Sequence, residues 1–252
     1  MSAETSAAAV ARPLFVRVGN FLFRYRNYAF PLLLLPLLLV FPPRYPFGSA
    51  RLDGWLDLLA FGVALAGEGL RVAVVGLAYI KRGGVNKRVF AERLVTEGLF
   101  AHCRNPLYVG NFLLLLALLM LVNNVWLYVI AGAFFVFAYK AIVAAEETYL
   151  REKFGAEYED YCRRVNRWLP DLRGIRQTMR GMSFNWRRVI IKEYASIYAW
   201  ILVALALQAD EVVLLSAPGE RGSRLVTLGV VCIVATAAFL TAYVLKKTRR
   251  LV

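Results

Sequence analysis

The chain is short of the residues that carry most soluble-protein chemistry. Its 252 residues include one histidine, His102, and three cysteines, Cys103, Cys162 and Cys232. The cysteines share no metal-ligand spacing and lie in or beside apolar or basic segments, so neither a disulfide framework nor a metal site is expected. Charged residues are scarce, at 19%, and one-sided, with 31 Lys and Arg against 17 Asp and Glu. That imbalance alone suits a nucleic-acid binder as well as a membrane protein. What the chain does have is apolar mass. At 60% hydrophobic residues and a mean hydropathy of +0.54 it is too apolar for disorder or an ordinary soluble domain. The long apolar runs decide for the membrane, with lipids rather than nucleic acid as the expected partners.

A helix needs about 20 mainly apolar residues to cross the hydrocarbon core. Six stretches come near this: Tyr28 to Pro43, broken by Pro31 and Pro36; Trp55 to Ile80; Leu107 to Val122; Val125 to Ala145; Tyr194 to Gln208; and Leu225 to Leu245. Only Asn123 and Asn124 separate the third from the fourth, which predicts a tight antiparallel helical hairpin. With a cytoplasmic start, 25 Lys and Arg fall in the inside segments and 4 in the outside ones, as the positive-inside rule requires. Both termini are therefore expected in the cytoplasm. The apolar run starts too late for a cleavable signal peptide, so no removed leader is expected.

Two further segments read as interfacial helices. Leu14, Val18, Phe21, Tyr25 and Tyr28 recur at helical spacing, although an ordinary continuation of the first crossing explains them equally well. Leu150, Phe154, Tyr158, Tyr161 and Val165 form a stripe on a highly charged segment that follows the fourth crossing. Asp171 to Arg188 reads as a basic connector suited to anionic headgroups.

Polar and aromatic groups gather at one face of the expected hairpin. Asn105-Pro106 reads as a helix start, which puts Arg104 beside exposed N–H groups as a potential anion site. Tyr108 offers an aromatic face, and Gly110 a gap that admits a ligand or a neighbouring helix. Glu146 and Glu147 close the fourth crossing at the same face, where a carboxylate pair could hold hydroxyls or an ammonium, or orient a nucleophile. Taken singly, Arg104 also fits a snorkelling anchor, Gly110 a packing notch and the two glutamates a solvated helix end. Glu68 and Arg71 lie inside the second crossing, and intramembrane charges are functional candidates by default. Their i, i+3 spacing suits either mutual pairing or a substrate-binding role.

In order, these residues read Leu-Val-Thr-x-Gly-Leu-Phe from Leu94, Arg-Asn-Pro-x-Tyr-x-Gly from Arg104, a hydrophobic hairpin, and then Glu146, Glu147, Leu150, Phe154, Gly155, Tyr158, Tyr161, Val165, Arg167, Trp168 and Pro170. This resembles the isoprenylcysteine carboxyl methyltransferase family and its phospholipid methyltransferase relatives, over about Gly67 to Pro170. Gly67 and Arg71 match its weaker upstream Gly-x-x-x-Arg element. The resemblance implies methyl transfer from S-adenosylmethionine to a lipophilic acceptor, a carboxylate or an amine, embedded in the membrane. It implies that Leu94 and Val95 line the cofactor cleft, that Asn105, Tyr108 and Gly110 adjoin the cofactor, and that Arg104, Glu146 and Glu147 lie closest to the transfer. Prenylcysteine enzymes usually have His where this chain has Asn105. That departure bears on the prenylcysteine substrate rather than on methyl transfer.

The expectation is an all-α integral membrane protein of a bacterial inner membrane, with about six transmembrane helices and a cytoplasmic-face cofactor pocket. Residues 1–54 would hold an interfacial helix and the first crossing, 55–170 the methyltransferase core, and 171–252 a basic connector and two further crossings. Two rivals remain: a nicotinamide-dependent membrane reductase of the sterol reductase type, and a non-catalytic membrane scaffold.

Overall fold

A computed structural model describes residues 13–77 and 91–248; the leader reading at residues 1–12, and part of the basic segment from Lys81, lie outside them. The described residues are helical, and no strand occurs among them. The described part of each of the six apolar stretches falls mainly on a helix: α1 Leu14–Val40, α2 Ala50–Leu77, α3 Pro106–Val122, α4 Val125–Phe154, α7 Trp186–Leu215 and α8 Pro218–Lys247. The short helices α5 Ala156–Arg164 and α6 Ile175–Arg180 lie between α4 and α7.

Helices α2, α4, α7 and α8 are long and apolar enough to cross a membrane, whereas α3 is a shorter apolar helix of 17 residues. Helix α1 carries Pro31 and Pro36 within it, each removing one backbone hydrogen bond from the ladder. The segment read as an outer loop, 208–224, is mostly helix. Helix α7 runs to Leu215 and α8 starts at Pro218, so hydropathy alone ends α7 too early and starts α8 too late.

In hydrocarbon, helices associate through close packing and internal polar bonds rather than through the hydrophobic effect. The principal pairings are α1 with α4, α2 with α3, and α7 with α8, with α7 also resting on α2 and α3. The α2/α3 crossing rests on two glycines. A Cβ on Gly67 would stand 2.9 Å from the Gly110 carbonyl oxygen, and one on Gly110 would stand 2.9 Å from the Gly67 oxygen. Gly19 of α1 lies likewise against the Ala141 carbonyl of α4. Trp200 of α7 donates its indole N–H to the Leu114 carbonyl of α3 at 2.9 Å.

The α3/α4 hairpin turns on two residues, as expected. Asn123 takes the left-handed conformation (φ 50°) that asparagine tolerates. Asn124 caps α4 by accepting from the Trp126 N–H at 3.1 Å. This end is pinned from outside: Asn123 donates to Asp53 Oδ1 at 2.8 Å and Asn124 to the Pro42 carbonyl at 3.0 Å. The other ends of α3 and α4 return together, and the site is built there.

Candidate functional site

Pro106 opens α3, and Asn105 stands at its cap position. The Asn105 side chain does not cap the helix; it donates to the Arg167 carbonyl at 3.1 Å. The segment before it is held by backbone bonds to the strand-like stretch after α5, Arg104 N to Asn166 O and Asp171 N to His102 O, both 2.9 Å. His102 is bonded through both ring nitrogens, to the Asp171 carbonyl at 2.6 Å and to Thr178 Oγ1 at 2.9 Å. It fastens this segment to α6 and is spent as a structural group.

Glu147, buried on the last turns of α4, is the electrostatic centre. Arg104 Nη1 lies 3.2 Å from Oε1. Arg167 grips the same carboxylate with two bonds, Nε to Oε1 at 2.9 Å and Nη2 to Oε2 at 2.6 Å, the fork geometry that guanidinium and carboxylate share. Arg151 stands further off at 3.8 Å. Arg104 also donates to Cys162 Sγ, and its buried Nε has no hydrogen-bond partner. Burial pulls the Arg104 pKa down, but Glu147, Cys162 and Tyr158 outweigh it and hold the guanidinium above its ordinary value. It is a permanent cation. Tyr158, one turn into α5, is pushed up by burial and then by Glu147, so its phenol keeps its proton.

Glu146, also buried, accepts from the Tyr108 hydroxyl at 2.9 Å. The Tyr108 ring lies 5.5 Å from that of Tyr139, a contact that holds both rings between α3 and α4. Leu150, Tyr158 and Tyr161 form a buried cluster with Ala91, against which Leu94, Phe154 and Val165 pack. The interfacial stripe is therefore one wall of the site. Gly155, at φ 50°, makes the bend that turns α5 back over the end of α4, a conformation costly for residues with a Cβ. Val95 packs instead with Val74, Leu99 and Phe100.

The structure therefore brings Arg104, Asn105, Tyr108, Glu146 and Glu147 together, with Leu94 and Val95 on the flanking apolar clusters. Gly110 faces Gly67 and Arg71 of α2 and serves as the close-packing position between the helices. Glu68 and Arg71 lie between α2, α3 and α7. Their mutual approach is only 3.8 Å, because Arg71 turns to Glu193 of α7 instead, with Nε donating to Oε2 at 3.1 Å.

Sequence reasoning missed Arg167 and Cys162 as partners of this centre, and Glu193 altogether. Arg167 stood in the family motif, which was the available signal. It also missed a group at the opposite end of the bundle. Asp53, Asp57 and Glu211 bring carboxylate oxygens within 4.8 Å of one another, beside a cavity of about 300 Å³ also lined by Gln208 and Arg224.

Comparison with known proteins agrees with this geometry. Residues 58–157 match a family model described as phospholipid methyltransferase. Cobalt-zinc-cadmium resistance protein CzcN of Cupriavidus metallidurans is 32% identical over 130 residues, covering 50% of this chain and 56% of that protein. The protein-S-isoprenylcysteine O-methyltransferase of Mus musculus is 33% identical over 128 residues, covering 48% of this chain and 44% of the enzyme. That of Schizosaccharomyces pombe is 35% identical over 88 residues, covering 34% and 36%. The chain spans about half the length of the curated relatives it matches. No solved structure matches it. The matched segment contains α3, α4 and the Arg104, Tyr108, Glu146 and Glu147 positions, and over that segment this integral membrane protein is similar to the isoprenylcysteine and phospholipid methyltransferases.

Proposed function

We propose that the chain transfers a methyl group from S-adenosylmethionine to a lipophilic acceptor at the cytoplasmic rim of a bacterial inner membrane. In this reading the six apolar helices all cross and both termini are cytoplasmic. One observation carries the proposal: within the family-matched segment, a two-residue hairpin brings Arg104 to 3.2 Å from Glu147, beside the Tyr108–Glu146 bond. The 25-to-4 split of basic residues supports the cytoplasmic assignment of that end.

The residues present fit the cofactor. Arg104 keeps a buried Nε without a partner, suited to a carboxylate. Leu94 and Val95 supply apolar contact, Asn105 and Tyr108 polar and aromatic contact, and Gly110 keeps α2 close behind them. S-adenosylmethionine supplies an already activated sulfonium methyl, so alignment and exclusion of water are the main demands on the protein.

Glu147 fixes the Arg104 and Arg167 guanidinium planes so that they meet an anion without reorganising. For a carboxylate acceptor, Arg104 holds the anion in line with the donor. For an amine acceptor, Glu146, oriented by Tyr108, receives the proton. Arg71 and Glu68 lie on the bilayer side, where an acceptor headgroup enters. The relatives named for cobalt, zinc and cadmium resistance suggest a setting for the activity rather than another chemistry.

The test is binding of S-adenosylhomocysteine to detergent-purified protein by calorimetry, followed by labelled-methyl transfer to a membrane lipid extract. Binding in the wild type and its loss in Arg104→Ala support the reading. No binding, or consumption of reduced nicotinamide instead, overturns it.

A further inference from the structure

Arg71 lies in the family-matched part of α2, but its principal partner lies outside that match. Its Nε donates to Glu193 Oε2 at 3.1 Å, Nη2 donates to the same oxygen and to Ser196 Oγ at 3.3 Å, and Nη1 donates to Asn111 Oδ1 of α3. Glu193 is 5% exposed and belongs to α7, beyond residue 157 where the match ends. Tyr139 of α4 stands beside Asn111, with its ring against Tyr108. A chain of hydrogen bonds thus runs from Glu193 of α7 through Arg71 of α2 to Asn111 of α3, with Tyr139 of α4 beside its end. Meanwhile Glu68 is left 3.8 Å from Arg71 with Oε1 buried and unpartnered.

In a low-dielectric interior an unpaired guanidinium turns to the nearest carboxylate. Without the charge of Glu193, that carboxylate is Glu68, one turn away on the same helix. A guanidinium that swings to Glu68 releases Asn111, beside which Tyr139 stands. Which way Arg71 points is therefore set by α7, not by the matched core.

We propose that Glu193 is a positioning residue for methyl transfer: by holding Arg71 and Asn111, it fixes the Arg71–Asn111–Tyr139 wall that receives the acceptor, so the C-terminal helix pair completes the site. This rests on the methyltransferase reading above. Leu94, Val95 and Asn105 touch none of this chain, and Tyr108 and Gly110 meet it only through packing against Tyr139 and Arg71, so the effect falls chiefly on the acceptor.

The experiment compares wild type, Glu193→Gln and the double variant Arg71→Met/Glu193→Met, each purified in detergent. It measures S-adenosylhomocysteine affinity, melting temperature, and apparent KM and kcat for labelled-methyl transfer to a membrane lipid extract. The expected result is an acceptor KM raised about tenfold in both variants, with kcat and S-adenosylhomocysteine affinity within about threefold of wild type. The double variant removes the pair together but leaves Glu68 without its cation, so Glu193→Asp, which keeps the charge on α7, is measured beside it and should return the KM toward the wild-type value; no return overturns the positioning role. An unchanged KM in the double variant shows a pair that serves folding alone and overturns the proposal. Equal losses of cofactor affinity and acceptor KM overturn it as well. A wild type that neither binds S-adenosylhomocysteine nor labels lipid overturns the methyltransferase reading itself, and this inference with it.

Discussion

The Tyr108 hydroxyl donates to Glu146 Oε1 at 2.9 Å, joining the first turn of α3 to the last turns of α4. A hydrogen bond to a carboxylate contributes about 1.5–3 kcal/mol. Tyr108→Phe keeps the ring packed on Tyr139 and removes only that bond. Methyl transfer should fall about 10- to 100-fold and the melting temperature by several degrees, measured by labelled-methyl transfer beside a thermal melt.

Loss of Glu147 and loss of the arginine that stands furthest from it should differ in cost. Glu147→Gln leaves the buried Arg104 without its acid and the half-exposed Arg167 without its forked partner. Breaking such a pair costs about 3–5 kcal/mol, so a large drop in melting temperature and loss of transfer are expected. Arg151 stands 3.8 Å away with its side chain 43% exposed. Arg151→Ala should cost less than about 1 kcal/mol. Melting curves of the two variants check the ranking.

Packing between α2 and α3 predicts a contrast among glycines of one helix. Gly67→Ala drives a methyl group onto the Gly110 carbonyl and Leu113, an overpacking worth about 1–3 kcal/mol. Gly62 and Gly69 face open space, and alanine there should be neutral or stabilising by up to about 1 kcal/mol. Thermal denaturation of the three single variants measures this.

Alkaline pH should weaken the fold. Burial holds the Cys103 thiol above its ordinary value of 9.0, and burial with Glu147 does the same to Tyr158 above 10.0. Each folded pKa is raised, so above about pH 9 the unfolded chain releases protons that the folded one retains. Stability is full below that pH and declines as pH rises through it. Cys103→Ala should delay the decline, read as melting temperature between pH 7 and 10.5. Cys103 should also resist alkylation at neutral pH.

Much of this was legible in the sequence because membrane helices announce themselves by length and hydropathy. The Asn123-Asn124 pair showed that α3 and α4 return to one face, which is why Arg104 and Glu147 could be placed together without coordinates. Partner choice across the bundle was not legible. Glu68 and Arg71 look like a pair at i, i+3, and only the approach of α7 shows that Glu193, 122 positions away, takes the guanidinium. The Asp53, Asp57 and Glu211 group was hidden for the same reason, because α7 brings its third member from far along the chain. The facing ends of α7 and α8 extend beyond their apolar stretches because both helices continue through the polar residues between Gln208 and Arg224.

The turn between α3 and α4 has no slack: two asparagines, each tied to a neighbouring segment, close one end of the pair. Any parting of these helices pivots there, like tweezers joined at the base. Travel is therefore greatest at the tips, where Arg104 meets Glu147, and smallest at the asparagines. A ligand admitted between the tips asks for little rearrangement at the joint.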